Sequence, residues 1–298
     1  MRSGILLIDK PEGPSSARVV EKVKALLGAR KAGHLGTLDP FASGLLPLGI
    51  NEGTKIAEIF LNAVKSYSGI AQLGVETDTQ DSTGKILEVR ETRPLGQKDI
   101  DDLREAFMGR IKQVPPMFSA LKRQGVRLYR LARQGKSVPR APREIKIERL
   151  KLWPLSPTEL GFEVTCSKGT YIRTLAADMG SFLGCGAHLK SLRRLSCAHL
   201  TIEDAITLGE LEALKRERKE IPLISLSQAL RHLREFRLED SLYSRLRMGQ
   251  QEALSVLGTP REDEKILRLV NNRGDLVALA RWGLGGEGAK WRLLRIFS

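Results

Sequence analysis

The sequence predicts an α+β domain built on a mixed, mainly antiparallel sheet, followed by a small C-terminal β-barrel. Strand-like and helix-like segments follow one another without regular βαβ alternation, which argues against a doubly wound parallel sheet. The final stretch from Arg231 is rich in short strand-like runs broken by glycine, on the scale of one small barrel. A length of 298 residues corresponds to about two domains at roughly 150 residues each.

The elements follow in order. Ile5 to Ile8 is an apolar run of strand length, ended by the Lys10-Pro11-Glu12-Gly13-Pro14 turn. Ser15 and Ser16 can cap a helix with Val19, Val20, Val23, Leu26 and Leu27 at helical spacing, stopped by Gly28. A Gly- and Pro-punctuated stretch from Arg30 to Gly53 precedes a helical segment, Thr54 to Asn62. Tyr67 to Val75 and Gly84 to Arg90 read as two strands of a hairpin around a polar turn, Thr77 to Thr83. Gln97 to Met108 is helical, with an acidic first turn and Gly109 at its end. Ile145 to Leu152 and Leu160 to Ser167 form a strand pair across Pro154 to Thr158. Tyr171 to Leu183 is a helix closed by Gly184, and Leu189 to Leu200 a strand. Thr207 to Glu220 is a charged helix, and Ile221 to Ser227 a linker. Three strands follow, Lys265 to Asn271, Leu276 to Trp282 and Trp291 to Phe297, with tight turns marked by Gly274, Gly283, Gly285, Gly286 and Gly288.

Composition narrows the partners. The chain has 49 Lys and Arg against 35 Asp and Glu, a net +14. No segment approaches the ~20 apolar residues of a spanning helix, and the N-terminus lacks a signal-peptide pattern. Cys166, Cys185 and Cys197 stand at spacings that suit neither a disulfide framework nor a zinc site. A soluble, reduced, cytoplasmic protein with a polyanionic partner is expected, and a basic surface alone does not choose between RNA, DNA and an acidic membrane. The charge is concentrated: Arg110 to Arg143 holds ten basic residues and no acid. Among them are Lys122, Arg123, Arg127 and Arg130, interleaved with Phe118 and Tyr129 and broken by Pro115, Pro116, Gly125, Gly135, Pro139 and Pro142. Such an arm suits gripping a folded nucleic acid by its phosphates, although a charged run can also simply be solvated.

Two stretches can carry chemistry. In Gly36-Thr37-Leu38-Asp39-Pro40 a single carboxylate stands in a tight turn, where Pro40 keeps Asp39 out of helical geometry. A carboxylate so held can act as nucleophile or general base; Asp-Pro is also a common turn initiator. His34 has no His or Cys at ligand spacing and so does not indicate a metal. In Lys168-Gly169-Thr170-Tyr171-Ile172-Arg173-Thr174, Thr170 can cap the following helix. Arg173 lies in its first turn, where the helix dipole disfavours a cation and a local anion is needed, a phosphate or a carboxylate such as Asp39.

Several motifs then occur in a specific order. They are Asp9-Lys10-Pro11-x-Gly13-x-Ser15-Ser16, Gly33-His34-x-Gly36-x-Leu38-Asp39-Pro40, Lys65-x-Tyr67, the segment Lys168 to Thr174, and Leu192-Arg193-Arg194-Leu195. With Pro115-Pro116-x-x-Ser119-Ala120-Leu121-Lys122 and Leu128-Tyr129-x-Leu131-Ala132-Arg133-x-Gly135, the chain closely resembles the bacterial TruB family, the tRNA pseudouridine-55 synthases, over about residues 3 to 230. The resemblance implies a pseudouridine-synthase catalytic domain at 1–225, with an RNA-gripping insertion at about 90–145, and a PUA-like RNA-binding barrel at 231–298. It implies isomerisation of a uridine in the T stem-loop of tRNA, after base flipping and without cofactor, guide RNA or obligatory protein partner, and a role in tRNA folding besides.

By the same resemblance Asp39 is the nucleophile or base, Arg173 pairs with it and favours its ionised form, and Tyr67 stacks on the extruded base and offers its hydroxyl as a proton acceptor. His34 fills the space left in the loop, Leu192 lines the pocket, and Lys10, Tyr171, Lys122, Arg123, Arg127 and Arg130 are further substrate contacts. The chain departs from the family at Ser68-Gly69, where relatives carry a larger residue. The segment 231–298 is divergent and only mildly basic, with 13 Lys and Arg against 9 Asp and Glu.

Overall fold

The computed structural model describes residues 2–119, 121–261, 265–285 and 288–297. Ala120 and Gly286, named above, lie outside the described residues. The strands are β1 (Gly4–Lys10), β2 (Ala32–His34), β3 (Ser43–Ile50), β4 (Lys65–Leu73), β5 (Val75–Thr77), β6 (Ile86–Val89), β7 (Gly109–Gln113), β8 (Lys122–Arg123), β9 (Val126–Arg127), β10 (Arg143–Ser156), β11 (Glu159–Cys166), β12 (Ala187–Cys197), β13 (Leu200–Thr201) and β14 (Ile206–Thr207), then β15 (Glu235–Arg237), β16 (Ile266–Val270), β17 (Leu276–Gly285) and β18 (Gly288–Ile296). The helices are α1 (Ser16–Leu27), α2 (Ala57–Leu61), α3 (Gln97–Phe107), α4 (Leu128–Arg133), α5 (Ile172–Phe182), α6 (Leu208–Arg216), α7 (Leu226–Ala229) and α8 (Asp240–Arg247).

A ten-stranded sheet runs β14-β1-β3-β12-β4-β11-β10-β7, with β2 on β3 and β13 on β12. The β1–β14 and β3–β12 pairs are parallel, and the remaining pairs of this sheet are antiparallel. The unbroken apolar run of β1 is explained by burial on both faces. Leu6 and Ile8 join the core under α1, α3 and α5, whereas Ile5 and Leu7 join a second core on the opposite face. Helix α1 has the caps its sequence predicts: Ser15 accepts from the Arg18 amide, and Gly28 takes the left-handed conformation at φ 60°.

Three local expectations change. The hairpin around the polar turn is made by β5 and β6, not β4, because β4 is already paired on both edges by β11 and β12. The helix at 54–62 is a 3₁₀ segment, Asn51–Ile56, running into the short α2. The linker at 221–227 is docked rather than free, with Ile224 bridging Ile5 of β1.

The C-terminal segment forms a four-stranded sheet, β15-β16-β17-β18, with a core that includes Leu246, Leu254, Leu267 and Trp291. It is not packed separately from the large sheet. Leu276, Leu279 and Phe297 enter the same core as Ile5, Leu7, Leu45 and Phe60. The Arg281–Glu58 ion pair (3.0 Å) and the Lys55 hydrogen bond to the Ile296 carbonyl (3.0 Å) close the seam.

Candidate active site

The loop carrying Asp39 has no regular structure, so its backbone groups need other partners. Buried side chains supply them. Arg194 of β12, almost wholly buried, donates to the carbonyls of Leu45 (2.7 Å), Thr37 (3.2 Å) and Gly36 (3.1 Å). The Ser16 hydroxyl donates to the Leu38 carbonyl (2.8 Å) and accepts from its amide (2.9 Å). The Asp39 carbonyl accepts from Ala42, and the Pro40 carbonyl from Gly13. Lys10 is fully buried, its ammonium on the carbonyls of Pro11 (2.7 Å), Pro14 (2.9 Å) and Pro40 (3.2 Å). Burial pulls that ammonium down to about 8, against the attraction of Glu12 and Asp39. Lys10, expected to touch substrate, is turned inward and braces the loop instead. Where β3 leaves the loop, Gly44 lies against Arg194 in register, at φ 98°; a Cβ there would come 2.4 Å from the Arg194 carbonyl oxygen.

Arg173, in the first turn of α5, finds the anion its position calls for. Its Nε lies 3.0 Å from Asp39 Oδ2 and its Nη1 3.4 Å from Asp81 Oδ2. It also donates to the carbonyls of Thr79 (3.0 Å) and Phe118 (2.9 Å). The guanidinium is 8% exposed and the Asp39 side chain 41%, so the cation stands behind and the carboxylate faces the opening. Asp81 is held by the Thr79 and Thr83 hydroxyls and the Thr83 amide on its other oxygen. Burial pushes the Asp39 carboxyl above the usual range; Arg173 opposes the shift and the nearby Asp81 adds to it. Arg173 acts in the expected direction, toward the ionised acid, and desolvation is the larger, opposing influence.

In front of the pair is a cleft of about 740 Å³ walled by Asp39, Tyr67, Tyr171, Arg173 and Leu192, with Phe118, Tyr129 and Arg133 contributed by the basic arm. Tyr67 and Leu192 come from the adjacent strands β4 and β12 and project to the same face. Burial raises the Tyr67 phenol to about 12, so it stays protonated near neutrality. His34 ends β2, half-buried, and is not part of this wall; its Nδ1 has no hydrogen-bond partner, and burial lowers its basicity. Lys122, Arg123, Arg127 and Arg130 lie exposed on β8, β9 and α4, outside the cleft, while Arg133 stacks over Tyr129 at 5.6 Å.

Thr170 does not cap α5: its hydroxyl donates to the Ser167 carbonyl, and Tyr171 occupies the cap position. At Gly69, one of the two departing positions, a Cβ would come 2.5 Å from the Phe162 ring. The sequence marked Ser16 only as a helix cap, and Arg194 and Asp81 not as site residues. Arg194 stood in a quoted motif, and Asp81 read only as a residue of the polar turn. Among the described residues no group of His, Cys, Asp and Glu could hold a metal ion, and no helix is long and apolar enough to cross a membrane.

Residues 24–172 match the model of the TruB family pseudouridylate synthase N-terminal domain, and 173–235 that of the tRNA pseudouridylate synthase B C-terminal domain. The chain is 41% identical to the tRNA pseudouridine synthase B of Geotalea uraniireducens, over 98% of this chain and 94% of the relative. It is 42% identical to that of Geobacter sulfurreducens, over 99% of both. Among solved structures, a Cbf5-Nop10-Gar1 complex contains a similar chain, with a TM-score of 0.76 and 26% identity over 99% of this chain and 85% of that one.

Proposed function

We infer the activity from membership: the chain belongs to the TruB family of pseudouridylate synthases, and its cleft serves the isomerisation of a tRNA uridine to pseudouridine. The observation that carries the reading is the half-buried Asp39 carboxylate facing the cleft, backed by the buried Arg173 guanidinium at 3.0 Å, with an aromatic wall beside it. We take the substrate to be the T stem-loop uridine. In the reaction the C1′–N1 bond breaks, C5 bonds to C1′, N1 gains a proton and the C5 proton leaves, so no redox partner is required.

The residue roles are carried over from the family resemblance. The target base must leave its stack, at a cost of a few kcal/mol. Stacking on Tyr67 returns about 1–3 kcal/mol, with Leu192 as the apolar neighbour. Asp39 acts on the nucleoside, as nucleophile at the uracil ring or as base at the sugar. The Tyr67 phenol, raised to about 12 by burial, is protonated near neutrality and would have to lose that proton before accepting one from C5. His34 fills the emptied loop, and Tyr171 and the arm residues Lys122, Arg123, Arg127 and Arg130 hold the RNA. The C-terminal sheet domain is a PUA-like module that extends the RNA-binding surface. The chain acts in the cytoplasm without guide RNA or protein partner, and the same opening of the T loop assists tRNA folding.

Pseudouridine mapping in a T-loop minihelix incubated with the purified protein alone is expected to show conversion at one uridine. Asp39→Asn is expected to abolish release of the C5 hydrogen while leaving RNA affinity nearly unchanged. Turnover retained by Asp39→Asn would exclude the catalytic role of Asp39.

A further inference from the structure

The N-terminus of α5 sets the position of Arg173, yet none of its neighbours in sequence caps it. The Tyr171 side chain makes no cap hydrogen bond, the Thr170 hydroxyl is committed to Ser167, and the Thr174 hydroxyl to Gln80. In a capping box the side chain at Thr174's position would reach back to the Tyr171 amide. Gln113 does this from another element. Its Oε1 accepts from the Tyr171 amide (2.8 Å) and its Nε2 donates to the Tyr171 carbonyl (3.1 Å).

Gln113 is 2% exposed and is the last residue of β7, paired with Arg143, the first of β10. The basic arm therefore leaves the sheet at Gln113 and returns at its partner. A second link runs from the arm to the same place, the Arg173 hydrogen bond to the Phe118 carbonyl.

We propose that Gln113 is a positioning residue for the pseudouridine reaction: it fixes the first turn of α5 to the root of the RNA-gripping arm, so that Arg173 meets Asp39 in register. It touches no reacting atom. The inference rests on the function proposed above and adds to it the way in which the arm and the catalytic pair are joined.

The test compares Gln113→Met, which keeps length but loses both hydrogen bonds, with Gln113→Glu, which keeps an acceptor for the Tyr171 amide. Single-turnover conversion of a saturating T-loop minihelix, its dissociation constant and the melting temperature are measured for each. Small displacements remote from the chemistry can slow it by up to about 100-fold, so Gln113→Met is expected to fall about 10- to 100-fold in single-turnover rate. Its RNA affinity should be little changed, and Gln113→Glu should recover part of the rate. Unchanged rate in Gln113→Met, a loss confined to RNA affinity, no recovery in Gln113→Glu, or failure of both variants to fold would each overturn the proposal. A wild-type protein inactive on the minihelix would remove the proposed function and this inference with it, whereas an active wild type isolates the contribution of Gln113.

Discussion

Asp39 is held between opposed influences, burial that favours the neutral acid and a guanidinium that favours the anion, and burial prevails. In the role proposed for Asp39 the anion is the active form, so the fraction of competent enzyme rises as pH climbs through the raised pKa. The acid limb of the single-turnover rate is therefore expected above the ordinary carboxylate range; a limb at or below the usual aspartate value would contradict this. For stability the sign is opposite. A carboxyl whose pKa is raised on folding binds its proton more tightly in the native state, so its contribution is lost as pH rises from the unfolded to the folded value. The Asp39–Arg173 pair was legible because a cation in the first turn of a helix calls for an anion. Asp81 and Gln113 were not, because their partners Arg173 and Tyr171 are distant in sequence and nothing local marks a polar turn or a strand-end glutamine as special.

Among the elements, the basic arm makes the clearest separate prediction. Its root is ordered by β7 and β10, and its outer surface presents Lys122, Arg123, Arg127 and Arg130 to solvent. Replacing all four with Ala should weaken tRNA binding and lower the slope of log K against log salt by about 0.7 per lost contact to a single-stranded-like backbone. An unchanged slope would mean that these side chains are only solvated. The arm's composition was legible as an exposed basic surface, whereas its small hairpin and α4 were not, since proline and glycine hid such short elements. The β5–β6 pairing was missed for a related reason. Two strands near in sequence predict a hairpin, but which of β4 and β5 completes it depends on strands contributed much later in the chain.

At the scale of the whole molecule, the antiparallel bias of the sheet followed from element order, and the C-terminal strands from their glycine-bounded runs. Their packing onto the large sheet did not, because residues on the two sides of that seam look like ordinary core in sequence. The shared core has a measurable consequence. Removing 231–298 would uncover Ile5, Leu7, Leu45 and Phe60 by withdrawing Leu276, Leu279 and Phe297. Each large apolar side chain contributes about 1.5–3 kcal/mol when fully buried. The truncated chain is expected to melt well below the intact one, by calorimetry or circular dichroism, and the intact chain to unfold in one cooperative transition. A truncated protein as stable as the whole would contradict the shared core.

The bracing of residues 36–40 by Arg194, Ser16 and Lys10 bears on how catalyst and substrate come to fit. With its carbonyls already engaged, that segment acts as an anvil: it has little freedom to mould itself around an incoming nucleotide. Under the proposed function the deformation then falls to the nucleic acid, and selection among RNAs becomes a matter of which loop yields at least expense.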